Sequence, residues 1–364
     1  MPAHDFDPQA LDRAFAIAAR RANTGELPFV ILGVANAEGT IRLEATTAPN
    51  AERRVGADAV CLLASITKPI VATAVLRLVQ DGVIGLRAPF ADWLPELRTE
   101  DDRRRITPWH VLTHTTGLAL GDSGLEGMIL QGLDRDALLA RLFAEQPTSV
   151  PGSRFAYATL PFELLALATE RATSESLPAI LERTVLGPLG MTDAAFDPRP
   201  AKADRMAPTT IGMWEGTRLQ GNADPRLGAA LGERYVALRL AGGGLWSSAS
   251  DLLRFGRAML RGGELDGERI LSPALVELAT REVTVDGLGR EPDRLEDGHY
   301  ALGWGKPGPS YAGSASAFGH GGASGTKLWV DPVHDLVFVY LSASWGMPSE
   351  VIDEPLLAVY AALR

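Results

Sequence analysis

The chain has 364 residues, long enough for two domains or for one domain with a large insertion. Its hydrophobic fraction of 46% and charged fraction of 22% are those of a globular protein, and its formal net charge of −10 argues against nucleic acid or an anionic membrane as a partner. Since Cys61 is the single cysteine, an internal disulfide and a thiolate metal site are both excluded.

The N-terminal residues show no targeting signal. A secretory signal would have a basic segment followed by an apolar one, and neither is present. No run approaches the roughly 18 apolar residues that a membrane-spanning helix needs. We therefore expect a cytoplasmic protein without a membrane partner.

The beginning of the chain predicts a helix followed by a β-hairpin. Asp7-Pro8 is typical of a helix cap with a proline in the first turn, and apolar residues recur at helical spacing from residue 11 to residue 19. Residues 28–35 and 41–46 are strand-like, and the stretch 36–40 between them predicts a turn.

A serine and a lysine three residues apart stand at the start of an apolar run. Ser65-Ile66-Thr67-Lys68 precedes residues 69–79, whose composition predicts one buried helix. Residues three apart on a helix share a face, so we expect the Lys68 amine to reach the Ser65 hydroxyl in the first turn. An amine whose pKa has been lowered by burial can take the serine proton, and the serine can then attack a carbonyl.

The competing interpretation of this pair is a helix cap followed by a surface lysine. Apolar residues on both sides of the motif weigh against it, because they predict a buried Lys68, and the chain has only four lysines. A second Ser-x-x-Lys, from Ser324 to Lys327, leads into a strand-like run. It lacks the helix that the chemistry requires, so we assign it no catalytic role.

Residues 84–240 predict a mostly helical insertion, because their helical patches are broken by proline and glycine and show no clean alternating strands. His110 and His114 could share a metal ion on a helix, but Val111 stands where the metalloprotease pattern has glutamate. We interpret the two histidines as hydrogen-bonded in a packed turn, and we predict neither a metal nor a cofactor.

Two further stretches are candidates for the walls of a cleft. Tyr157 follows a proline-glycine turn and precedes a helix that begins near Pro161. A tyrosine there can direct its hydroxyl toward a cleft, although a packed tyrosine is the commoner case. Gly242-Gly243-Gly244 precede a helix that begins at Ala249, with a spacing that matches no phosphate-binding loop, so we expect close backbone packing there.

The last part of the chain returns to strands and ends in a helix. The predicted strands are residues 300–305, residues 317–322 continuing into 327–332, and residues 336–341. Residues 333–335 predict a turn, and the final helix is expected to run from Pro355 to Leu363.

The fold class that follows is α+β, with one antiparallel sheet flanked by helices. Residues 1–83 and 241–364 would form the sheet domain. Residues 84–240 would form a mostly helical domain inserted between its two parts.

Several stretches, in chain order, resemble the penicillin-recognising serine hydrolases and look most like their class C β-lactamase-like branch. This branch holds β-lactamases, D-stereospecific peptidases and amidases, transesterases and the family VIII carboxylesterases, the last being closest in type. The resemblance implies an α/β domain and a helical domain with the site between them. It covers nearly the whole chain and rests on residues 65–68, 106–118, 151–157, 188–191, 242–246, 303–304, 320–325 and 329–332.

The resemblance implies roles for three side chains. Ser65 would be the acylated nucleophile, and Lys68 would accept its proton. Tyr157 would pass a proton to the leaving group and later help to activate the water that removes the acyl group.

It also implies how the substrate is held. His320-Gly321-Gly322 stands where many relatives have Lys-Thr-Gly, on the strand that lines the cleft. The backbone N–H groups of Ser65 and Ala323 would form the oxyanion hole, which stabilises the negative charge that develops on the carbonyl oxygen.

Two departures from the family pattern bear on the substrate. Thr159 stands where β-lactamases and peptidases of this branch usually have asparagine, and a threonine would hold a substrate amide less well because it is shorter and has one donor. His320 in place of the strand lysine would give a weaker, pH-dependent positive charge for a substrate carboxylate. Both departures disfavour turnover of β-lactams.

We therefore predict a serine carboxylesterase acting on small esters through an acyl-enzyme. The alternatives are a D-amino-acid amidase or peptidase, a β-lactamase, and a non-catalytic penicillin-binding-like sensor that acylates without turnover. The expected partner is a small-molecule ester or amide. The sequence predicts neither the natural substrate nor the oligomeric state.

Overall fold

The computed structural model describes residues 6–118, 122–283, 299–308 and 313–364. The helices are α1 (Pro8–Asn23), α2 (Thr67–Gln80), α3 (Pro108–Leu112), α4 (Asp122–Leu130), α5 (Arg135–Ala144), α6 (Phe162–Thr173), α7 (Leu177–Leu181), α8 (Arg199–Lys202), α9 (Pro225–Leu238), α10 (Ala249–Leu260), α11 (Pro273–Thr280) and α12 (Glu350–Tyr360). None of the helices in these ranges is both long and apolar enough to cross a membrane.

The strands are β1 (Phe29–Ala35), β2 (Thr40–Thr47), β3 (Cys61–Leu62), β4 (Thr210–Glu215), β5 (Arg218–Asp224), β6 (Trp246–Ser247), β7 (Glu264–Leu265), β8 (Glu268–Arg269), β9 (Phe318–Gly322), β10 (Thr326–Asp331), β11 (Leu336–Leu341) and β12 (Ser344–Trp345). Short 3₁₀ helices cover Ala64–Ile66, Phe90–Asp92, Pro95–Leu97 and Asp102–Arg105, and a π-helical turn covers Glu182–Leu186.

A five-stranded antiparallel sheet forms the centre of the fold, with the strand order β2-β1-β11-β10-β9. β1 pairs with β2, its neighbour in sequence, and on its other side with β11, where Ile31 lies opposite Leu341. The first and last parts of the chain therefore share one sheet, and helices cover both of its faces. The predicted α+β class is confirmed.

Strand β1 separates two apolar cores. All seven of its residues are buried, and alternate side chains point to opposite faces of the sheet. Phe29 and Ile31 belong to the core that includes α2, α6 and α10, whereas Val30 and Leu32 belong to the core that includes α1 and α12. A strand covered on both faces has no polar side, which explains the unbroken apolar run in the sequence.

The predicted first helix is confirmed in its start and its buried face. The Asp7 carboxylate accepts a hydrogen bond of 2.9 Å from the Ala10 N–H, and Pro8 occupies the first helical position. Leu11 and Phe15 are buried in the core between α1, the sheet and α12.

Residues 84–240, predicted to be mostly helical, also contain two strands that the sequence did not predict. β4 and β5 form an antiparallel hairpin in that range, with Trp214 opposite Leu219, and β4 also pairs in parallel with β12 from the C-terminal part. β4 is only partly buried along most of its length, so its sequence lacks a clear apolar alternation. The division of the chain into two domains stays a prediction.

The prediction of a strand at residues 300–305 is wrong. Gly303 has a φ of 78°, a left-handed conformation that an extended strand does not allow, and its N–H donates to the Leu112 carbonyl at 2.8 Å. The segment is a turn with isolated bridges. Residues 317–332 do not form one continuous strand either, because a turn at residues 323–325 separates β9 from β10, which pairs back on it.

The last helix begins at Glu350, five residues before the predicted start at Pro355. A proline in a helix interior removes one backbone hydrogen bond, so a helix is usually expected to begin there rather than to continue through it. Val351 and Ile352 are buried against the sheet in the same core as α1, and their burial stabilises the turn that precedes the proline.

A buried carboxylate lies in the first turn of α10. Asp251 is 3% exposed and accepts hydrogen bonds from the Ser247 hydroxyl at 3.0 Å and from the Asp193 N–H at 2.8 Å. Burial raises the pKa of Asp251 to about 6, because it disfavours the charged form more than the hydrogen bonds favour it. Ser247 belongs to β6, which pairs with β3, so this cluster supports the segment that leads to Ser65.

We expect Asp251→Asn to raise the free energy of unfolding at neutral pH. The unfolded chain releases the Asp251 proton near pH 4 and the folded chain releases it near pH 6, so wild-type stability falls as the pH rises between these values. The difference in unfolding free energy between variant and wild type should grow by on the order of 3 kcal/mol from pH 4 to pH 7 in urea titrations.

The matched control is Asp136→Asn, which changes an exposed aspartate in the first turn of α5. It replaces a carboxylate by an amide in the same way but at an exposed position, so it reports the effect of the substitution itself. If the Asp251→Asn difference does not change between pH 4 and pH 7, the raised pKa of Asp251 is incorrect.

Candidate active site

The serine of the Ser-x-x-Lys motif lies in a sharp turn between β3 and α2. β3 pairs with β6, and the chain then passes through the 3₁₀ helix Ala64–Ile66 into α2. Ala64 has a φ of 47°, an uncommon conformation for a residue other than glycine. Ser65 therefore stands in a 3₁₀ turn directly before the α-helix, one turn earlier than expected, but its spacing to Lys68 still brings the two side chains together.

The turn between β9 and β10 is fastened to this serine segment. The Ser324 hydroxyl donates to the Leu62 carbonyl at 2.6 Å, and the Thr326 hydroxyl donates to the Leu63 carbonyl at 3.0 Å. A Cβ on Gly322 would lie 2.2 Å from the Leu63 oxygen, so only glycine allows this approach. The second Ser-x-x-Lys thus has a structural use, as Ser324 is fully buried and hydrogen-bonded.

Lys68 is fully buried, and three hydrogen-bond partners surround its amine. Its Nζ lies 2.9 Å from the Ser65 hydroxyl, 2.9 Å from the Thr159 hydroxyl and 2.9 Å from the Gly242 carbonyl oxygen. A neutral amine has two N–H bonds and one lone pair. If Thr159 and Gly242 accept the two N–H bonds, the lone pair faces Ser65 and can take its proton.

Thr159 contacts Lys68 directly, and its expected role in holding the substrate stays a prediction. It is 7% exposed, and its hydroxyl accepts from Lys68 rather than lining the cavity beside Ser65. The three glycines pack as expected from the sequence, since a Cβ on Gly242 would lie 2.6 Å from the Thr159 carbonyl oxygen. This close approach brings the Gly242 carbonyl within reach of the lysine.

Tyr157 lies beside the lysine on a segment held by His114. The Tyr157 ring centre is 4.7 Å from the Lys68 Nζ and 4.3 Å from the centre of the His114 ring. The His114 carbonyl accepts from the Ala156 N–H at 2.8 Å, and its Nδ1 accepts from the Ala158 N–H at 3.2 Å. The histidine thus holds the backbone on both sides of the tyrosine.

The two histidines serve the packing of this region. Burial, and then the charge of Lys68, holds the pKa of His114 well below its usual value, so the ring is neutral. His110 accepts from the Thr107 N–H at 3.2 Å through Nδ1, and burial lowers its pKa to about 4. The interpretation of hydrogen-bonded histidines in a packed turn is confirmed. Across the described ranges, no three metal-ligating side chains come together.

His320 faces the same cavity but carries no charge near neutral pH. Its Nε2 lies 2.7 Å from the Tyr300 hydroxyl, and its Nδ1 lies 2.6 Å from the Gly321 carbonyl oxygen. Burial is the main cause that lowers the pKa of His320 to about 3, and the positive charge that Lys68 carries when it is protonated lowers it further. We therefore assign the Nδ1 proton to the bond with Gly321 and the Tyr300 proton to the bond with Nε2. The expectation that His320 offers a pH-dependent positive charge to the substrate is wrong, because the ring is neutral near pH 7.

A cavity of about 350 Å³ opens beside the serine. Ser65 and Tyr157 line one part of it, and the backbone of β9 forms a wall. Lys327, which also lines it, is paired with Asp353. The remaining lining residues are His299, Tyr300, Gly305, Lys306, Gly319, His320, Gly321, Gly322, Ala323, Thr326, Trp329, Met347, Ser349 and Ile352.

Both backbone groups expected to form the oxyanion hole border this cavity. Ser65 and Ala323 line it, and in the part of the chain that the structure describes neither of their N–H groups donates to a backbone carbonyl. The Ala323 carbonyl accepts from the Gly346 N–H at 2.9 Å, which holds the turn in place. Two N–H groups at a cavity wall can stabilise a developing oxyanion.

Sequence reasoning missed two contributors to the site. Tyr300 was expected in a strand, and only the neighbouring glycines Gly303 and Gly305 indicated a turn instead. The Gly242 carbonyl is a backbone group, so no residue type in the sequence predicts its role. The run of three glycines did predict close packing there.

Comparisons with known proteins identify the family. The family model described as Beta-lactamase matches residues 22–362. Protein Rv1367c of Mycobacterium tuberculosis (strain ATCC 25618 / H37Rv) is 33% identical over 319 residues, which are 78% of this chain and 77% of that protein. Esterase EstB of Burkholderia gladioli is 36% identical over 233 residues, which are 56% of this chain and 58% of that protein.

The fold agrees with this match. A crystal structure of a family VIII carboxylesterase superposes with a TM-score of 0.76 at 20% sequence identity and covers 99% of each chain. The family match extends over nearly the whole chain and includes the serine turn, the lysine helix and the strand that lines the cavity. The chain therefore belongs to the beta-lactamase family and is a serine hydrolase.

Proposed function

We propose that this protein is a carboxylesterase that acts on small esters by forming an acyl-enzyme on Ser65. The observation that carries the proposal is the contact between the buried Lys68 amine and the Ser65 hydroxyl, with the Thr159 hydroxyl and the Gly242 carbonyl as further partners of the same amine. This arrangement suits a general base, because the two other acceptors orient the amine toward the serine hydroxyl.

The first half of the reaction transfers the acyl group to the enzyme. Ser65 Oγ attacks the ester carbonyl carbon while its proton moves to the Lys68 amine, and the N–H groups of Ser65 and Ala323 stabilise the oxyanion. The bond to the alcohol oxygen then breaks. Tyr157 protonates the leaving alcohol and recovers a proton from Lys68, so the alcohol departs neutral and the base is restored.

The second half releases the acid. A water molecule enters the cavity, gives one proton through Tyr157 to Lys68 and attacks the acyl carbon. The bond to Ser65 Oγ breaks, the serine recovers its proton from Lys68, and the carboxylic acid leaves. Atoms and charge balance as one ester and one water giving one acid and one alcohol.

Two observations favour esters over amides and lactams. Since His320 is neutral, β9 offers no charged side chain at that position to a substrate carboxylate. EstB is named an esterase, and a family VIII carboxylesterase shares the fold. A D-amino-acid amidase or peptidase, a β-lactamase and a non-catalytic sensor are the outcomes that the experiments below would reveal instead. The cytoplasmic location stays a prediction.

The nucleophile can be identified by exchanging the serine in each Ser-x-x-Lys. We expect Ser65→Ala to lower the turnover of p-nitrophenyl butyrate by at least about 10³-fold and to abolish labelling by a fluorophosphonate, because the attacking oxygen is lost. Ser324→Ala is the matched control and should still be labelled on Ser65, at a rate reduced by the loss of the Ser324 hydrogen bond to the Leu62 carbonyl that fastens the serine turn. Labelling that persists in Ser65→Ala and disappears in Ser324→Ala would reverse the assignment.

The preference for esters can be measured with substrates that share one acyl group. We expect kcat/KM for p-nitrophenyl butyrate to exceed that for butyryl p-nitroanilide by at least about 10³-fold, roughly 4 kcal/mol in transition-state stabilisation. An amine leaves only after protonation, so amide cleavage depends more on a positioned acid. The ratio of the two hydroxide-catalysed rates corrects for the intrinsic reactivity of the ester.

Nitrocefin and D-alanine p-nitroanilide complete that comparison. Turnover of either at the rate of the butyrate ester would replace the esterase proposal by the β-lactamase or the amidase. An initial burst with the ester and no steady state would identify a non-catalytic sensor.

A further inference from the structure

A buried carboxylate accepts a hydrogen bond from the residue that directly precedes Gly242, a partner of the catalytic lysine. Glu163, in the first turn of α6, is 1% exposed. Its Oε1 accepts from the Ala241 N–H at 2.6 Å, and its Oε2 accepts from Arg135 Nε at 3.0 Å and Nη2 at 2.9 Å. Ala241 directly precedes Gly242, whose carbonyl accepts from Lys68.

Glu163 contacts both segments that supply acceptors to the lysine, one through its backbone and the other through its carboxylate. Thr159 precedes α6, and the Glu163 N–H donates to the Leu160 carbonyl at 3.0 Å, so Glu163 and the Thr159 loop are held together. Through its bond to the Ala241 N–H, the Glu163 carboxylate holds the turn at residues 241–243. The distance between these segments sets the positions of both the Thr159 hydroxyl and the Gly242 carbonyl.

Burying the Glu163 carboxylate in an apolar core costs free energy. Burial raises the pKa of Glu163, and Arg135 and the Ala241 N–H oppose this rise by favouring the charged form. A buried ion pair often contributes little to stability compared with apolar side chains of similar volume. The Oε1 atom has a separate contact, because it accepts from the backbone N–H next to the Gly242 carbonyl that Lys68 contacts.

We propose that Glu163 is a positioning residue for Lys68: through the Ala241 N–H it holds the Gly242 carbonyl where that oxygen orients the lysine amine toward Ser65. The proposal rests on the role of Lys68 in the proposed function. Glu163 is absent from the lining of the cavity described above, so it acts on the proton-transfer step without contacting the substrate.

The proposal predicts that hydrogen-bond reach matters more than charge. Glu163→Gln keeps an oxygen at the right distance for the Ala241 N–H, and Arg135, whose side chain is 33% exposed, can turn its donors to water. Glu163→Asp keeps the charge, but it is one methylene shorter and its oxygens no longer reach Ala241. Glu163→Leu removes both the oxygen and the charge at similar volume.

The test measures the rate of Ser65 labelling by a fluorophosphonate together with kcat and KM for p-nitrophenyl butyrate. We expect Glu163→Asp and Glu163→Leu to lower kcat and the labelling rate by about 10-fold to 100-fold with KM unchanged, since small displacements of reacting groups have effects of this size. Glu163→Gln should keep at least about a third of both wild-type rates. Circular dichroism and the melting temperature confirm that each variant is folded.

Two results would overturn the proposal. Either Glu163→Gln loses as much activity as Glu163→Asp, so that charge and not reach is what matters, or folded Glu163→Asp labels at the wild-type rate. If Glu163→Leu does not fold, the contrast between the Asp and Gln variants still decides. Failure of the proposed function is separate, because it appears as absent ester turnover or absent Ser65 labelling in the wild-type protein.

Discussion

The burial of Lys68 is the constraint on which the rest of the site depends. A fully buried amine needs polar partners, because an unpaired one is costly in an apolar interior. Ser65 supplies one from the same turn, while Thr159 and the Gly242 carbonyl supply the others from distant parts of the chain. The packing that satisfies the lysine also orients it, so the same three contacts serve both stability and chemistry.

The sheet brings these distant parts together. β1 and β11 pair although they lie near opposite ends of the sequence. β10 and β9 then extend the sheet to the edge of the cavity. Hydrogen bonds from Ser324 and Thr326 to the carbonyls of Leu62 and Leu63 fasten that edge to the serine turn. The nucleophile is therefore placed by these two side-chain hydrogen bonds and by the pairing of β3 with β6.

The local parts of this arrangement were predictable from the sequence, and the non-local parts were not. The spacing of Ser65 and Lys68 and the apolar run after them suffice to predict their contact. His320 is neutral because burial and the nearby Lys68 lower its pKa, and no local sequence pattern reveals either cause. The Gly242 carbonyl is a backbone group, and the β4–β5 hairpin has strands too exposed to show an apolar alternation. Each of these features is set by tertiary packing.

The central claim is that the Lys68 amine takes the Ser65 proton as the acyl-enzyme forms. Its most direct test is a rapid acid quench of the protein with excess p-nitrophenyl butyrate, followed by mass spectrometry of the proteolytic peptides. The account predicts one butyryl group on the peptide that contains Ser65 in the wild-type protein, and none at the same quench time in Lys68→Met. A butyryl group on a different residue, or equally fast acylation of Ser65 in Lys68→Met, would contradict it.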